Sequence, residues 1–231
     1  MYGLQLAVVV STIVITLLSF ILALFLTLNF MAKRQKSNLL WSSGMWAFTL
    51  GTALEAIFAF GLYSDALGGI YLFVVALTVE LLALGSVQLI RSKRAKLAYY
   101  GYCTITTLLL VAVLISTNVG NIITTYIVFG VLPLSVVLTS SLIAFPAAII
   151  IALVAAFGYK RARSKKMLSI IAGVIVVSVA GTLYIASFPE FLYFSEFVGI
   201  LLLWAGFFDA GAFKKSLRQR PRHAPKISGM D

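Results

Sequence analysis

The sequence predicts an all-α membrane protein, a bundle of seven transmembrane helices with the N-terminus outside and the C-terminus cytoplasmic. Three observations lead to this fold class. Of the 231 residues 61% are hydrophobic and 11% are charged, whereas a soluble domain has about 45–50% apolar and about 25% charged residues. The apolar residues form runs long enough to span a bilayer. The Lys and Arg residues lie only in alternate connections between those runs.

Seven apolar runs separate the charge clusters, and each is long enough to cross a membrane as a helix. The predicted spans are residues 4–30, 39–63, 70–90, 97–117, 134–159, 167–187 and 191–213. The first run is not a cleavable signal peptide, because it lacks a basic n-region and its apolar stretch is too long. Residues 1–213 are therefore predicted to form a single seven-helix transmembrane domain.

The distribution of basic residues predicts the orientation. Every Lys and Arg follows an odd-numbered span, within 33–36, 91–96, 160–166 or 214–226. The other connections, 64–69, 118–133 and 188–190, contain none. Cytoplasmic loops collect Lys and Arg, so we expect a multi-pass protein of the cell membrane with an odd number of crossings. Tyrosines near the predicted span ends are typical of interfacial anchoring: Tyr63, Tyr71, Tyr184 and Tyr193 outside, and Tyr99, Tyr100 and Tyr102 inside.

Two segments lie outside the predicted spans. Residues 118–133 are apolar and rich in Gly, Thr and β-branched residues. They are read as an outer hairpin lid, a re-entrant segment or an interfacial helix, packed on the bundle or in the interface. Residues 214–231 form a basic cytoplasmic tail with no apolar periodicity. We expect it to be disordered and close to anionic lipids at the cytoplasmic face, although it could serve only to fix the orientation.

Composition also excludes several function classes. The net charge of +11 does not indicate nucleic-acid binding, because its distribution follows the membrane topology. The single histidine, His223, lies in the tail, so bis-histidine haem, a His/Cys zinc site and an intramembrane Ser-His-Asp triad are not expected. Residues 191–213 contain no lysine for a retinal Schiff base. No cofactor is predicted, and Cys103 is read as a packing residue.

The predicted spans contain four acidic side chains, Glu55, Glu80, Glu196 and Asp209. Glu55 is expected about 12 Å below the outer end of its span and Glu80 about 15 Å below the start of the next. Since consecutive helices joined by a short turn usually pack together, the sequence predicts that these two carboxyl groups are neighbours at similar depth. An ionised carboxylate at the bilayer centre costs about 2.5–3.5 kcal/mol on insertion scales.

Two interpretations of these acids stay open. In the structural one, Glu55 and Glu80 are protonated and bonded to a backbone carbonyl or a threonine. In the functional one, they line a polar cavity that takes up a proton, a cation or a ligand amine. The residues predicted to bind on the second interpretation are Glu55, Glu80, Glu196, Asp209 and Thr52.

Three functions are compatible with this pattern. The first is a small transporter or a ligand- or proton-responsive seven-helix protein that uses the intramembrane carboxylates. The second is an accessory subunit that packs against other membrane proteins in a larger complex. The third is a lipid-modifying enzyme using paired carboxylates for acid–base chemistry. Span five also contains Pro146 and a Thr139–Ser141 cluster, a composition found in kinked helices of transporters and of passive bundles alike.

Overall fold

The computed structural model describes residues 2–120, 123–124, 127–128, 132–162, 169, 172–173, 176 and 189–207. Within these residues the chain forms six α-helices and one antiparallel pair of short strands. The helices are α1 (Tyr2–Lys33), α2 (Lys36–Ala59), α3 (Asp65–Val87), α4 (Lys93–Ser116), α5 (Leu134–Ala162) and α6 (Pro189–Phe207). The strands are β1 (Ile123–Thr124) and β2 (Ile127–Val128).

Four helices are long and apolar enough to cross a membrane: Val8–Lys33, Asp65–Val87, Lys93–Ser116 and Leu134–Lys160. Helix α2 has the length but carries polar side chains such as Asn38, Ser42 and Thr49. The apolar part of α6 is shorter, Tyr193–Gly206. Apart from the short strand pair, the regular structure of the described residues is thus helical, and four of the helices are candidate membrane spans. Most of the predicted span 167–187 lies outside the described residues, and the seven-span count and orientation stay predictions.

Helix α2 ends and helix α3 begins at the residues that form the turn between them. These helix ends do not coincide with the limits of the apolar runs. Gly61 has φ +83° directly after the C-cap residue Phe60, a conformation that glycine adopts without a Cβ penalty. Ser64 then caps α3 by accepting a hydrogen bond from the Leu67 amide at 3.2 Å. As a result α2 ends four residues before, and α3 begins five residues before, the predicted limits.

Each described helix packs against one or more of the other helices. Helix α1 contacts α2 and α6, α2 contacts α3, and α3 also contacts α4 and α5, which contact each other. The largest buried cluster joins five helices at the centre and includes Leu22, Met45, Ala83, Ile151 and Ile200. Burial of these apolar side chains fixes the relative positions of the helices that carry the buried acids.

Helix α5 contains Pro146 in its interior, and a tyrosine from α4 compensates for the missing amide. Proline cannot donate to the carbonyl four residues earlier, which is that of Leu142. The Tyr102 hydroxyl donates to this Leu142 oxygen at 2.5 Å. The neighbouring Thr139 and Ser140 hydroxyls instead bond carbonyls of the preceding turn of α5, including that of Val136.

The segment between α4 and α5 contains a minimal hairpin. Ile123 pairs with Val128 and Thr124 with Ile127, and β2 contacts α2. The Tyr63 hydroxyl, from the α2–α3 turn, donates to the Gly120 carbonyl. The described part of 118–133 therefore lies against the end of the bundle where α2 ends, an arrangement compatible with the hairpin-lid interpretation.

Candidate functional site

Glu55 is buried near the C-terminal end of α2, where α3 supplies its first hydrogen-bond partner. Its side chain is 2% exposed. The Tyr71 hydroxyl donates to Glu55 Oε1 at 2.6 Å, a short distance typical of a bond to an ionised oxygen. The Tyr71 ring is held by an edge-to-face contact with Phe58, at 5.7 Å between centroids. Packing and hydrogen bonding thus fix both partners in one geometry.

Glu196 of α6 lies next to the same carboxyl group. It is 8% exposed, and its carboxyl group lies within interaction distance of that of Glu55. Oε2 of each residue is buried without any protein donor. Two carboxyl groups in contact form a hydrogen bond only when one of them holds a proton, because ionised carboxylates only accept. Glu55, Tyr71 and Glu196 form what we call the carboxyl pair site.

Apolar side chains enclose the carboxyl pair site from two sides. Leu54, Phe58, Tyr71 and Val119 form one buried cluster. Val8, Ile15, Ala59 and Tyr193 form a second. Because Val119 belongs to the segment after α4, the connection to α5 contributes to covering the site. Among the described residues no Lys, Arg or His forms a salt bridge with either glutamate.

Glu80 forms a separate polar contact on another side of α3. It is 3% exposed, and its Oε2 accepts a hydrogen bond from the Thr107 hydroxyl of α4 at 2.6 Å. Glu80 Oε1 is buried and has no hydrogen-bond partner among the described residues. The second carboxylate of the predicted pair therefore bonds to α4 and not to α2.

The predicted common depth of Glu55 and Glu80 is wrong. Gly44 lies against Leu82 and Gly51 against Val75, and continuing this antiparallel register places Glu55 level with Tyr71. Glu80 lies nine residues further along α3, about 13 Å away along the axis. Nine residues are also about two and a half turns, so Tyr71 and Glu80 occupy opposite faces of α3. The error arises from the helix limits set by Gly61 and Ser64.

The other predicted binding residues have different surroundings. Thr52 is buried, but its hydroxyl bonds the Thr49 carbonyl of its own helix at 3.1 Å. Asp209 and the tail 214–231 lie outside the described residues. The structure therefore brings together Glu55 and Glu196, and it leaves the binding role of all five predicted residues untested.

Sequence reasoning missed Tyr71 and Thr107 as partners of the acids. The position of Tyr71 near a predicted span end indicates an interfacial anchor, but its hydroxyl is turned toward the protein and donates to Glu55. A signal was present: Glu55 and Tyr71 flank the Gly61–Ser64 turn at similar distances, as two residues at one level of an antiparallel helix pair must do. For Thr107 the only signal was a threonine in the middle of an apolar helix, which is common in membrane helices.

In the part of the chain that the structure describes, no group of three or more His, Cys, Asp or Glu side chains is placed to hold a metal ion. Comparison with known proteins found no matching family, no matching characterised protein and no matching solved structure.

Proposed function

We propose that this chain is a membrane protein that takes up and releases a proton at Glu55 and Glu196, and that it works as a small proton-coupled transporter or a proton-responsive protein. The observation that carries this proposal is the close approach of two buried carboxyl groups from different helices.

Two ionised carboxylates in contact repel each other, and burial removes the water that would screen them. The pair therefore holds at least one proton. Tyr71 donates to Glu55, which favours Glu55 as the ionised member and Glu196 as the protonated one. Every Lys and Arg of the chain lies in a connection or terminal segment, so a cation that changes the charge of this pair comes from solution. The proton is the smallest such cation and needs no preformed cavity.

The protonation state of the carboxyl pair site affects how α2 packs against α6 and α3. The pair joins α2 to α6, and Tyr71 joins α2 to α3. Adding a second proton turns a charged hydrogen bond into a neutral one and weakens it, while removing the shared proton leaves two repelling charges. Either change alters the relative stability of two arrangements of α6 against α2. A protein in which proton binding shifts such an equilibrium can couple the proton to a substrate or to a partner.

Infrared titration of purified protein in lipid vesicles tests the proposal. Protonated carboxyl groups absorb in a C=O region separate from carboxylates, so the wild-type protein should lose or gain this band as pH changes. Glu55→Gln and Glu196→Gln should each remove the pH-dependent band of the pair. Asp65→Asn is the matched control, since Asp65 is an exposed acid at the start of α3, and should leave that band unchanged.

A pH gradient across the same vesicles provides the functional readout. Proton uptake followed with an enclosed pH-sensitive dye should fall at least tenfold in both glutamine variants and stay at the wild-type level in Asp65→Asn. The proposal fails if the buried carboxyl band does not respond to pH over the range in which the protein stays folded. It also fails if both glutamine variants titrate like the wild type.

The accessory-subunit alternative has a weaker structural basis. Helix α4 is the least buried of the four long apolar helices, and Leu97, Ile105 and Ile115 on it are 76%, 69% and 82% exposed. Lipid accounts for such a surface as well as a protein partner does. Capture from native membranes with a tagged chain distinguishes the two, because a partner must co-purify in a fixed ratio. No contact among the described residues favours a lipid-modifying enzyme over these functions.

A further inference from the structure

A groove lies between α3 and α4 at the end of the bundle where α3 begins. Its volume is about 460 Å³, within the range typical of small-molecule sites. On α3 its wall includes Asp65, Gly69 and Phe73, which are spaced by four residues and therefore lie on one face of the helix. On α4 it includes Val111 and Leu114. The groove thus follows the line of contact between the two helices for roughly 12 Å, from Asp65 to Phe73.

The space in this groove exists because residue 69 is a glycine. A Cβ atom at Gly69 would meet no atom within 4 Å, whereas at the neighbouring Gly68 it would lie 2.6 Å from the Tyr63 hydroxyl oxygen. Ile70 and Ile115 also line the groove and are 49% and 82% exposed. The groove is therefore open along the outer surface of the helix pair, and a ligand can enter from the side.

The polar groups of the groove lie at one end. Asp65 begins α3, and Thr117 and Asn118 directly follow the last residue of α4. The opposite end, near Phe73 and Val111, is apolar. Ligand sites typically combine apolar walls with a few polar groups that fix the orientation of the ligand. This groove therefore fits a molecule with a polar head at Asp65 and a hydrocarbon chain along the helices.

The charge at the polar end determines the head group. Asp65 is exposed, and the two connections that border the groove, 64–69 and 118–133, contain no Lys or Arg. A carboxylate without a basic neighbour favours a cation and repels an anion. A phospholipid would place a phosphate group beside Asp65 with no Arg or Lys to bind it. A head group with a single positive charge is therefore favoured over a phospholipid.

We propose that the α3–α4 groove binds a single-chain amphiphile with an ammonium head. The ammonium group contacts the Asp65 carboxylate, and the hydrocarbon chain lies over Gly69 and extends toward Phe73. The groove shares no residue with the carboxyl pair site, so the proposal does not depend on what that pair binds.

Equilibrium binding of radiolabelled decyltrimethylammonium to the protein in phosphatidylcholine nanodiscs tests the proposal. Empty nanodiscs report partition into lipid, and binding above that level should saturate at one molecule per chain. Affinity should rise roughly fourfold for each methylene from the hexyl to the decyl compound while the chain lies in the groove. Decyl sulfate has the same chain and the opposite charge, and it should bind roughly tenfold more weakly or worse.

Two variants test the two ends of the groove. Gly69→Leu fills the space, and because leucine has the higher helix propensity the helix should stay folded; its affinity for the ammonium should fall tenfold or more. Gly101→Leu is the matched control, since a Cβ there also meets no atom within 4 Å and Gly101 lies outside the groove. It should bind like the wild type.

Asp65→Asn should lose the preference for the ammonium over the sulfate. Because Asp65 lies outside the carboxyl pair site, this change reports the groove alone. Thermal unfolding and gel filtration verify that each variant is folded.

Four results would overturn the proposal. The first is wild-type binding no greater than partition into empty nanodiscs, a result that needs no variant. The second is an unchanged affinity in Gly69→Leu, or an equal loss in Gly101→Leu. The third is an Asp65→Asn protein that still prefers the ammonium to the sulfate. The fourth is a phospholipid that co-purifies with the protein and is not displaced by the ammonium, which would assign the groove to a bilayer lipid.

Discussion

At the scale of single residues, the Tyr71 hydroxyl stabilises the carboxyl pair site by a hydrogen bond. It is the protein donor to Glu55 Oε1, and its ring is held by Phe58. Phenylalanine at this position keeps the ring packing and removes only the hydrogen bond. Because a hydrogen bond to a charged group contributes about 1.5–3 kcal/mol, we predict that Tyr71→Phe lowers the free energy of unfolding by roughly that amount.

Unfolding by a denaturing detergent measures this loss, and the infrared C=O band of the pair should shift in the same variant. Thr52→Val provides the comparison. Thr52 is also buried and lies one turn from Glu55, but its hydroxyl bonds its own helix, so the carboxyl band should stay in place. A carboxyl band that moves in Thr52→Val and not in Tyr71→Phe would mean that Thr52 is the partner that matters.

The acids themselves could be predicted from the sequence, but their partners could not. A carboxylate in an apolar run is visible because its transfer into a membrane is unfavourable. Which helix supplies the donor depends on the helix ends, and a shift of four residues at the α2–α3 turn moves a side chain by about 6 Å and by more than one turn. The Glu55–Glu196 contact also joins residues that are distant in sequence, and no local pattern reports such a contact.

At the scale of secondary-structure elements, α4 and α5 are joined at the carbonyl that Pro146 leaves without an amide donor. Tyr102 occupies this position by donating to the Leu142 oxygen. We predict that Tyr102→Phe lowers the free energy of unfolding by about 0.5–1.5 kcal/mol, since it removes the one side-chain hydrogen bond described at this carbonyl. Pro146→Ala restores an amide that bonds the same oxygen, so in that background Tyr102→Phe should have a much smaller effect.

The four proteins of this double-mutant cycle are compared by detergent unfolding. Tyr100→Phe serves as the control on the same helix, because its hydroxyl accepts a hydrogen bond from the Gln88 side chain and not one that replaces a missing amide. Tyr102→Phe could lower the free energy of unfolding equally in the wild type and in the Pro146→Ala background. That result would show that the Tyr102 hydroxyl does not replace the missing amide.

Element boundaries show why the helices were easier to predict than their ends. Each of α1 to α5, and the described α6, overlaps one apolar run over most of its length, because length and hydropathy identify a membrane helix. The ends depend on the turn chemistry of Gly61 and Ser64, which lies inside or beside the apolar run and not at its charged limit. The Tyr102–Leu142 bond illustrates the same point: proline indicates a free carbonyl, but not which neighbouring helix will bond it.

At the scale of the whole molecule, α3 separates two polar sites that differ in depth and in face. The carboxyl pair site lies near the turn that joins α2 to α3, between α2, α3 and α6. The Glu80 site lies deeper along α3, between α3 and α4. Neither site is joined to the other by a described hydrogen bond. The two sites share α3, which supplies Tyr71 to one and Glu80 to the other.

The positions of these sites relative to the two faces of the membrane depend on the topology. With Lys and Arg only after odd-numbered runs, the N-terminus is predicted outside, the C-terminus in the cytoplasm, and the basic end of α4 in the cytoplasm. The carboxyl pair site would then lie toward the outside and Tyr99 toward the cytoplasm. Labelling tests this prediction in a Cys103→Ser background, which removes the single native thiol.

Single cysteines introduced at Asp65, at Arg94 and in the tail at Ser228 are exposed to a membrane-impermeant thiol reagent in intact cells and in permeabilised cells. We expect position 65 to react in intact cells, and positions 94 and 228 only after permeabilisation. Position 65 reports the side of the membrane on which the α2–α3 turn lies. With position 65 outside, reaction at 228 in intact cells would mean an even number of crossings. Reaction at 94 in intact cells would reverse the predicted orientation of α4.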